Sequence, residues 1–195
     1  MLKEKLKGYT IVLASGSPRR QQFLRELDAN FEVRLKEVEE IYPDILKGAE
    51  ITDYLAELKA AALDETLSDD EILITSDTIV WHEGKALGKP TDKEDAFNMI
   101  KSLSGKTHEV ITSVCIKNAG KSETFHETTK VTFNPLTDEE IAYYLEEYKP
   151  FDKAGSYGIQ EWIGLVAIAK IEGSYANVVG MPVDKVYQYL LKFAK

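Results

Sequence analysis

Two adjacent arginines follow a Ser-Gly-Ser-Pro turn in the stretch "LASGSPRR", at residues 13–20. Ser17 is a good helix N-cap and Pro18 suits the first helical position, so the arginines are predicted to begin a helix. The helix dipole repels cations at that end and attracts anions. Arg19 and Arg20 are therefore either the forks of a phosphate site or solvated first-turn residues, and this stretch alone favours neither.

A carboxylate and two lysines further along the chain are the next candidates for chemistry. Asp77 follows an apolar strand predicted at 72–75, where a metal ligand or catalytic group often lies, but turns favour Asp equally for local hydrogen bonding. Lys89 precedes a proline, which extends its backbone. Lys59 lies among alanines and either reaches from a cleft wall or snorkels, which is commoner. For Glu40, a solvated acidic loop is the default interpretation.

Several familiar kinds of site are excluded. "SGKT" at 104–107 lacks the first glycine of a P-loop, because Ile100 stands in that position within a predicted helix. No G-x-G-x-x-G follows a strand, and no G-x-S-x-G elbow is present. His82, His108 and His126 lack zinc-ligand spacing and are predicted to be exposed strand residues.

The elements that position these residues alternate between helix and strand. Helices are predicted over "RRQQFLREL", "ITDYLAELKAAALDE", "KEDAFNMIKSL", "EEIAYYLEEY" and "PVDKVYQYLLKF". Strands are predicted over "YTIVLAS", "FEVRLK", "EILITSDTIVWH", "THEVITSVCIKN", "KSETFHETTKVTFN" and "WIGLVAIAKIEG". Capping boxes are predicted at Thr91 with Glu94 and at Thr137 with Glu140. Hairpins turning at Glu83-Gly84 and at Asn118-Ala-Gly exclude an all-parallel sheet, so the class is α/β with a mixed sheet.

Composition limits the partners. The 195 residues predict a single domain over 1–195, and the net charge of −9 argues against long nucleic acid while leaving room for a local site for a small anion. No secretory signal is visible, and the longest apolar run, 163–169, is too short to cross a membrane. The single cysteine, Cys115, is predicted to be a buried, inert thiol and fits a reduced cytoplasm.

The order of the motifs is more specific than any one of them. "LASGSPRR", "VEEIYP", "YLAELKAAA", "SDTIV", "LGKP", "LSGKTHEVIT", "FDKAGSYGIQ" and "GSYANVVGMPV" closely resemble the Maf family of nucleotide pyrophosphatases, over about residues 9–193. The resemblance implies an elongated α/β fold with two lobes around a nucleotide cleft, shared with inosine triphosphate pyrophosphatases. It also implies hydrolysis of a nucleoside triphosphate to the monophosphate and pyrophosphate with a divalent cation, Mg²⁺ or Mn²⁺.

The same resemblance implies roles for individual residues. Asp77 matches the family's proton acceptor, and Glu40 its metal-side carboxylate, with Asp77 beside the same cation. The phosphate-side residues are matched by Ser15, Arg19, Arg20, Lys59 and Lys89. "SPRR", "DT" and "GIQ" resemble the dTTP/UTP branch, in which substrate choice is set at the positions matched by Arg19, Thr78 and Gln160. Ser113 departs from the family, where glycine or alanine is expected, and this affects only local packing.

These roles fit one reaction. Cleavage between the α and β phosphates releases pyrophosphate, whose charge explains the basic side chains and the cation. A cation acidifies a bound water, so Asp77 beside a cation held with Glu40 becomes a credible base. We therefore expect hydrolysis of dTTP, UTP or modified pyrimidine nucleotides in the cytoplasm, with neither membrane nor long nucleic acid as partner and a homodimer left open. The alternative is a non-catalytic nucleotide-binding regulator of cell division, which would not need Asp77, Glu40 and both lysines.

Overall fold

Strands and helices alternate along residues 2–193, the part of the chain that the computed structural model describes. The strands are β1 Thr10–Leu13, β2 Phe31–Val33, β3 Glu71–His82, β4 Lys85–Leu87, β5 Thr107–Asn118, β6 Lys121–Phe133 and β7 Ile168–Glu172. The helices are α1 Leu2–Lys5, α2 Pro18–Glu26, α3 Ala49–Ala61, α4 Lys93–Leu103, α5 Asp138–Tyr148, α6 Trp162–Val166, α7 Tyr175–Val179 and α8 Val183–Phe193. The predicted α/β class is confirmed.

The strands of the described residues form one mixed sheet in the order β2-β1-β3-β5-β6-β7, with β4 paired to β3. β1 is parallel to both β2 and β3, whereas β3–β4 and β6–β7 are antiparallel. Leu13 at the end of β1 lies opposite Ile74 in β3. The parallel pairing ends at these positions, so the turn after β1 begins beside the middle of β3, which continues to His82. The carboxyl end of a parallel strand is a usual place for a ligand site in α/β sheets.

The described residues form two compact units, each with its own apolar core. The first contains residues 2–77, 112–127 and 180–193, and the second contains 78–111 and 128–179. In the first core, strands and helices contribute fully buried side chains that include Ile11, Leu13, Leu24, Ile72, Ile74 and Leu190. In the second, they include Ile100, Leu103, Val131, Phe133, Tyr144 and Ile163. Each such burial contributes about 1.5–3 kcal/mol. The single domain over 1–195 stays a prediction.

The hairpin predicted at Glu83-Gly84 and the capping box predicted at Thr137 are confirmed, whereas the cap predicted at Thr91 is wrong. Glu83 and Gly84 have φ of 48° and 79°, as a tight hairpin requires, and Thr137 forms its capping box. The N-cap of α4 is Asp92, one residue later than proposed, and its carboxylate accepts a hydrogen bond from the Asp95 amide. Thr91 instead donates its amide to the Asp95 carboxylate at 2.9 Å.

The strand predicted over "WIGLVAIAKIEG" is wrong in its first half, where α6 lies. A Cβ at Gly164 would lie 1.7 Å from the Ile159 carbonyl oxygen, so the glycine allows a tight helical turn to pack on the preceding segment. A short apolar run does not distinguish a buried helix from a strand. The strand predicted over "FEVRLK" is also shorter, since β2 ends at Val33.

Two of the three histidines are buried, so their predicted exposure is wrong. His82 is 6% and His108 2% exposed, and His108 Nε2 lies 2.7 Å from the Tyr157 hydroxyl. Burial, reinforced by His82, lowers the pKa of His108 to about 3. Cys115 is buried, as predicted. None of the helices in residues 2–193 is long and apolar enough to cross a membrane.

Candidate functional site

The turn between β1 and α2 holds Arg20 in a network of protein acceptors. Ser17 caps α2 as predicted, its hydroxyl accepting from the Arg20 amide. The Arg20 guanidinium donates from Nε to the Gly180 carbonyl at 2.9 Å. From Nη1 it donates to the Ser76 carbonyl at 3.0 Å and to the Ser15 hydroxyl at 3.2 Å. Arg20 is therefore not a solvated first-turn residue, and it links α2 to the middle of β3. Asp77 lies inside this continuous strand, so the prediction that it follows a strand ending at residue 75 is wrong.

The charge on Arg20 is desolvated. Burial lowers the pKa of Arg20 to about 10, opposed by the negative charges of Asp77 and Glu40 and reinforced by the neighbouring Arg19. The guanidinium remains charged at neutral pH. Its positive charge therefore acts in a low-dielectric position beside two carboxylates, where electrostatic interactions are stronger than in water.

Lys59, from α3, lies between those two carboxylates. Its Nζ is 2.6 Å from Asp77 Oδ1 and 3.0 Å from Glu40 Oε1. The Lys59 side chain is 16% exposed and that of Asp77 9%. The snorkelling interpretation of Lys59 is therefore wrong. Glu40 lies in an exposed loop, as predicted, with its side chain 48% exposed, but it also pairs with Lys59. The structure brings Asp77, Lys59, Glu40, Arg20 and Ser15 together in the first unit.

Two hydroxyls attach α3 to neighbouring strands, and the first of them was missed by sequence reasoning. Thr75 Oγ1 donates to the Ala56 carbonyl at 2.6 Å, and both residues are fully buried. Because Ala56 precedes Lys59 by three residues, this bond holds the face of α3 that presents the lysine. In the sequence, this role is indicated only by the position of Thr75, a hydroxyl residue directly after an apolar run in a strand that is predicted to be buried.

Ser113, the residue that departs from the family pattern, is the second anchor of α3. Its buried hydroxyl donates to Asp53 Oδ1 at 2.6 Å and lies 2.6 Å from Thr52 Oγ1. Asp53 also accepts from His126 Nδ1 at 3.2 Å. Ser113 therefore joins β5 to the start of α3, a larger role than the local packing expected of it.

Arg19 is half-buried in α2 of the first unit, and the other three predicted site residues belong to the second unit. Thr78 is half-buried in β3, Lys89 is exposed after β4, and Gln160 is exposed just before α6. They are the residues whose roles depend most on the family resemblance. Their predicted parts in phosphate and base recognition stay predictions.

Oxygen ligands for a cation are present but do not form a closed cage. Within residues 2–193, no three His, Cys, Asp or Glu side chains are grouped as metal ligands. Glu40 and Asp77 nevertheless converge on one ammonium group, so they already surround a position of positive charge. Mg²⁺ is usually held by one or two carboxylates together with water and substrate phosphates. This donor set fits a cation shared with a phosphorylated ligand.

A desolvated arginine, a lysine and two carboxylates lie close together near the point where the parallel pairing of β1 and β3 ends. They define an α/β protein equipped to bind an anion and to move a proton. A family model described as Maf-like protein matches residues 10–193, and the chain belongs to that family. The resemblance read from the motifs is thus confirmed.

The relatives match over nearly their whole length. A Flavobacterium johnsoniae protein named dTTP/UTP pyrophosphatase is 65% identical, covering 97% of this chain and 98% of its own. A Flavobacterium psychrophilum protein of the same name is 62% identical, covering 98% of both. Among solved structures, the Staphylococcus aureus Ham1 protein overlaps 64% of this chain and 71% of its own, at 15% identity and a TM-score of 0.44.

Proposed function

We propose that this chain is a nucleoside triphosphate pyrophosphatase that hydrolyses dTTP and UTP to the monophosphate and pyrophosphate. The observation that carries the chemistry is Asp77, held by Lys59 at 2.6 Å and adjoining the Arg20 network. The names of two relatives above 60% identity, matched over almost their full length, support the substrates.

The reaction assigns tasks to the groups of the site. The oxygen of a water attacks the α-phosphorus while Asp77 accepts a proton from that water. The bond from the α-phosphorus to the oxygen bridging to the β-phosphorus breaks, and its electron pair leaves with pyrophosphate. Lys59 and Arg20, with Arg19, Lys89 and the Ser15 hydroxyl, bind phosphate oxygens and offset the charge that develops on them.

Glu40 and Asp77 are the carboxylates proposed to hold Mg²⁺ or Mn²⁺ together with the triphosphate. When bound, a divalent cation supplies charge neutralisation and makes water more acidic. Lys59 then serves to keep the two carboxylates close together, because its ammonium lies within 3.0 Å of both.

Base selection is assigned to Gln160, with Thr78 and Arg19 positioning the nucleotide. A side-chain amide donates and accepts, as does the edge of thymine or uracil. Cytosine presents an amino group where uracil has a carbonyl, which leaves a polar group unpaired at a cost of about 1–3 kcal/mol. Modified pyrimidine nucleotides that keep the uracil edge would also be accepted. We place the activity in the cytoplasm, in keeping with the single reduced thiol.

A panel of dTTP, UTP, CTP, GTP and ATP, with pyrophosphate detection, tests the function directly. The expected result is release of pyrophosphate, with the highest kcat/KM for dTTP and UTP. Preference for a purine nucleotide would refute the substrate assignment but keep the reaction. Tight nucleotide binding without any pyrophosphate would instead favour the non-catalytic regulator.

A further inference from the structure

Gln160 is the last residue of a segment held by a buried polar cluster in the second unit. The backbone turns at Gly155 and Ser156, with φ of 66° and 60°. Tyr144, from α5, is fully buried. Its hydroxyl accepts the Gly158 amide at 2.9 Å and donates to Glu161 Oε2. One phenol thus holds the chain on both sides of Gln160.

Lys153 completes this cluster from the other end of the segment. Its Nζ lies 3.2 Å from Glu161 Oε1 and 2.7 Å from Asp152 Oδ1, and its side chain is only 10% exposed. A lysine this deeply buried requires its carboxylate partner. Burial, followed by Glu161, raises the pKa of Tyr144, so that the phenol stays protonated and continues to donate.

Gly158 places the backbone that Tyr144 binds next to the Gln160 amide. A Cβ at this position would lie 2.8 Å from Gln160 Nε2 and 2.8 Å from Glu161 Cδ. The Gln160 amide therefore rests against the backbone of the residue whose N–H the Tyr144 hydroxyl accepts. Although the Gln160 side chain is exposed, a displacement of Gly158 or Glu161 would change the surface against which its amide lies.

We propose that Tyr144, Lys153 and Glu161 are positioning residues that set the orientation of the Gln160 amide, and through it the preference for uracil and thymine over cytosine. This inference rests on the function proposed above. The two ends of an amide have nearly the same shape but opposite hydrogen-bonding character. Selectivity therefore depends on which end faces the base, and the orientation must come from the segment that carries Gln160. The cluster itself touches no reacting atom.

Tyr144→Phe is the principal test, because it removes only the hydroxyl. The matched control is Tyr143→Phe, the adjacent residue on α5, whose ring is 49% exposed and packs edge-on against Trp162. For Tyr144→Phe we expect the ratio of kcat/KM for UTP to that for CTP to fall about fivefold or more. The control should keep the parental ratio.

A second pair of variants shows whether the cluster acts through Gln160. Tyr144→Phe added to Gln160→Ala should change the ratio no further, since the amide it orients is already absent. Glu161→Gln preserves volume and should lower the ratio even if Tyr144→Phe fails to fold.

The outcomes separate this inference from the proposed function. A parent enzyme without preference for UTP refutes the proposed specificity itself. The positioning role is overturned if the parent prefers UTP but its Tyr144→Phe and Glu161→Gln variants keep the ratio. It is equally overturned if these variants lose activity toward UTP and CTP to the same extent. The positioning role is supported if Tyr144→Phe and Glu161→Gln each lower the ratio, while adding Tyr144→Phe to Gln160→Ala lowers it no further.

Discussion

At the scale of single residues, the site depends on the ammonium group of one lysine, which lies between two carboxylates. Lys59 contacts both Asp77 and Glu40, so each carboxylate is held near the other in spite of their repulsion. Arg20 adds a second, desolvated positive charge attached to the carbonyl of Ser76, immediately before Asp77. These contacts make Asp77 and Glu40 the residues whose replacement is most informative.

Asp77→Asn should lower kcat by about 10²–10⁴, because an amide cannot accept the proton of the attacking water. The substitution preserves shape, so the nucleotide should still bind, as equilibrium dialysis with UTP would measure. Turnover within about threefold of the parent would remove Asp77 from the role of base.

Excess chelator should abolish activity, and added Mg²⁺ or Mn²⁺ should restore it, since these hard cations prefer carboxylate and phosphate oxygens. Glu40→Gln should raise the metal concentration needed for half-maximal rate by about tenfold or more. Titration of rate against free Mg²⁺ measures both effects. Full activity in chelator would show that no metal is required and that Glu40 is an ordinary loop residue.

At the scale of elements, helix α3 delivers Lys59 because buried hydroxyls attach it to strands. Thr75 of β3 binds the Ala56 carbonyl one turn before the lysine, and Ser113 of β5 binds the beginning of the helix. β3 therefore supplies Asp77 and also fixes the helix that carries the partner of Asp77.

Thr75→Val keeps the branched shape and deletes this hydroxyl, so we expect kcat to fall about tenfold with KM nearly unchanged. Thr75→Ser, which retains the hydroxyl, should recover most of the loss. Steady-state kinetics on both variants makes the comparison. If valine and serine behave alike, the hydrogen bond has no part in placing Lys59.

Local patterns predicted those elements whose causes are local. The Ser17 cap, the Glu83-Gly84 hairpin and the apolar strands follow from residues adjacent in the chain. The pattern failed at 162–166, where Gly164 packs against the Ile159 carbonyl, and it left open whether Lys59 snorkels. Both depend on groups distant in sequence or on backbone contacts that no periodicity reveals. The same is true of the Thr75 and Tyr144 hydroxyls, which function through partners on other elements.

At the scale of the whole molecule, buried ionisable groups link folding to pH. His108 lies in a cluster with Tyr157 and Phe133 and has a pKa of about 3. The folded state therefore holds it neutral, whereas the unfolded chain takes up a proton near its ordinary pKa of about 6.5. Its contribution to stability is present above pH 6.5 and is lost progressively as pH falls toward 3.

Between pH 7.5 and 5.5 this single group should lower the free energy of unfolding by about 1.4 kcal/mol. His108→Gln cannot titrate, so its free energy of unfolding should fall by about that much less over the same interval. Denaturant unfolding at the two pH values measures the difference. An unchanged pH dependence in the variant would show that other groups cause it.

Because the single cysteine is buried, its reaction with a thiol reagent can be used to measure how often the surrounding core opens. Cys115 is 1% exposed and packs with Val12, Ala56 and Leu73, so a thiol reagent reaches it only when this core opens. The rate of labelling then measures that opening without any mutation or attached dye. A nucleotide that binds only the closed form should slow labelling by about 1 + [L]/Kd. Labelling of the Asp77→Asn variant in the presence of UTP would thus give its affinity for UTP in a measurement that does not depend on hydrolysis.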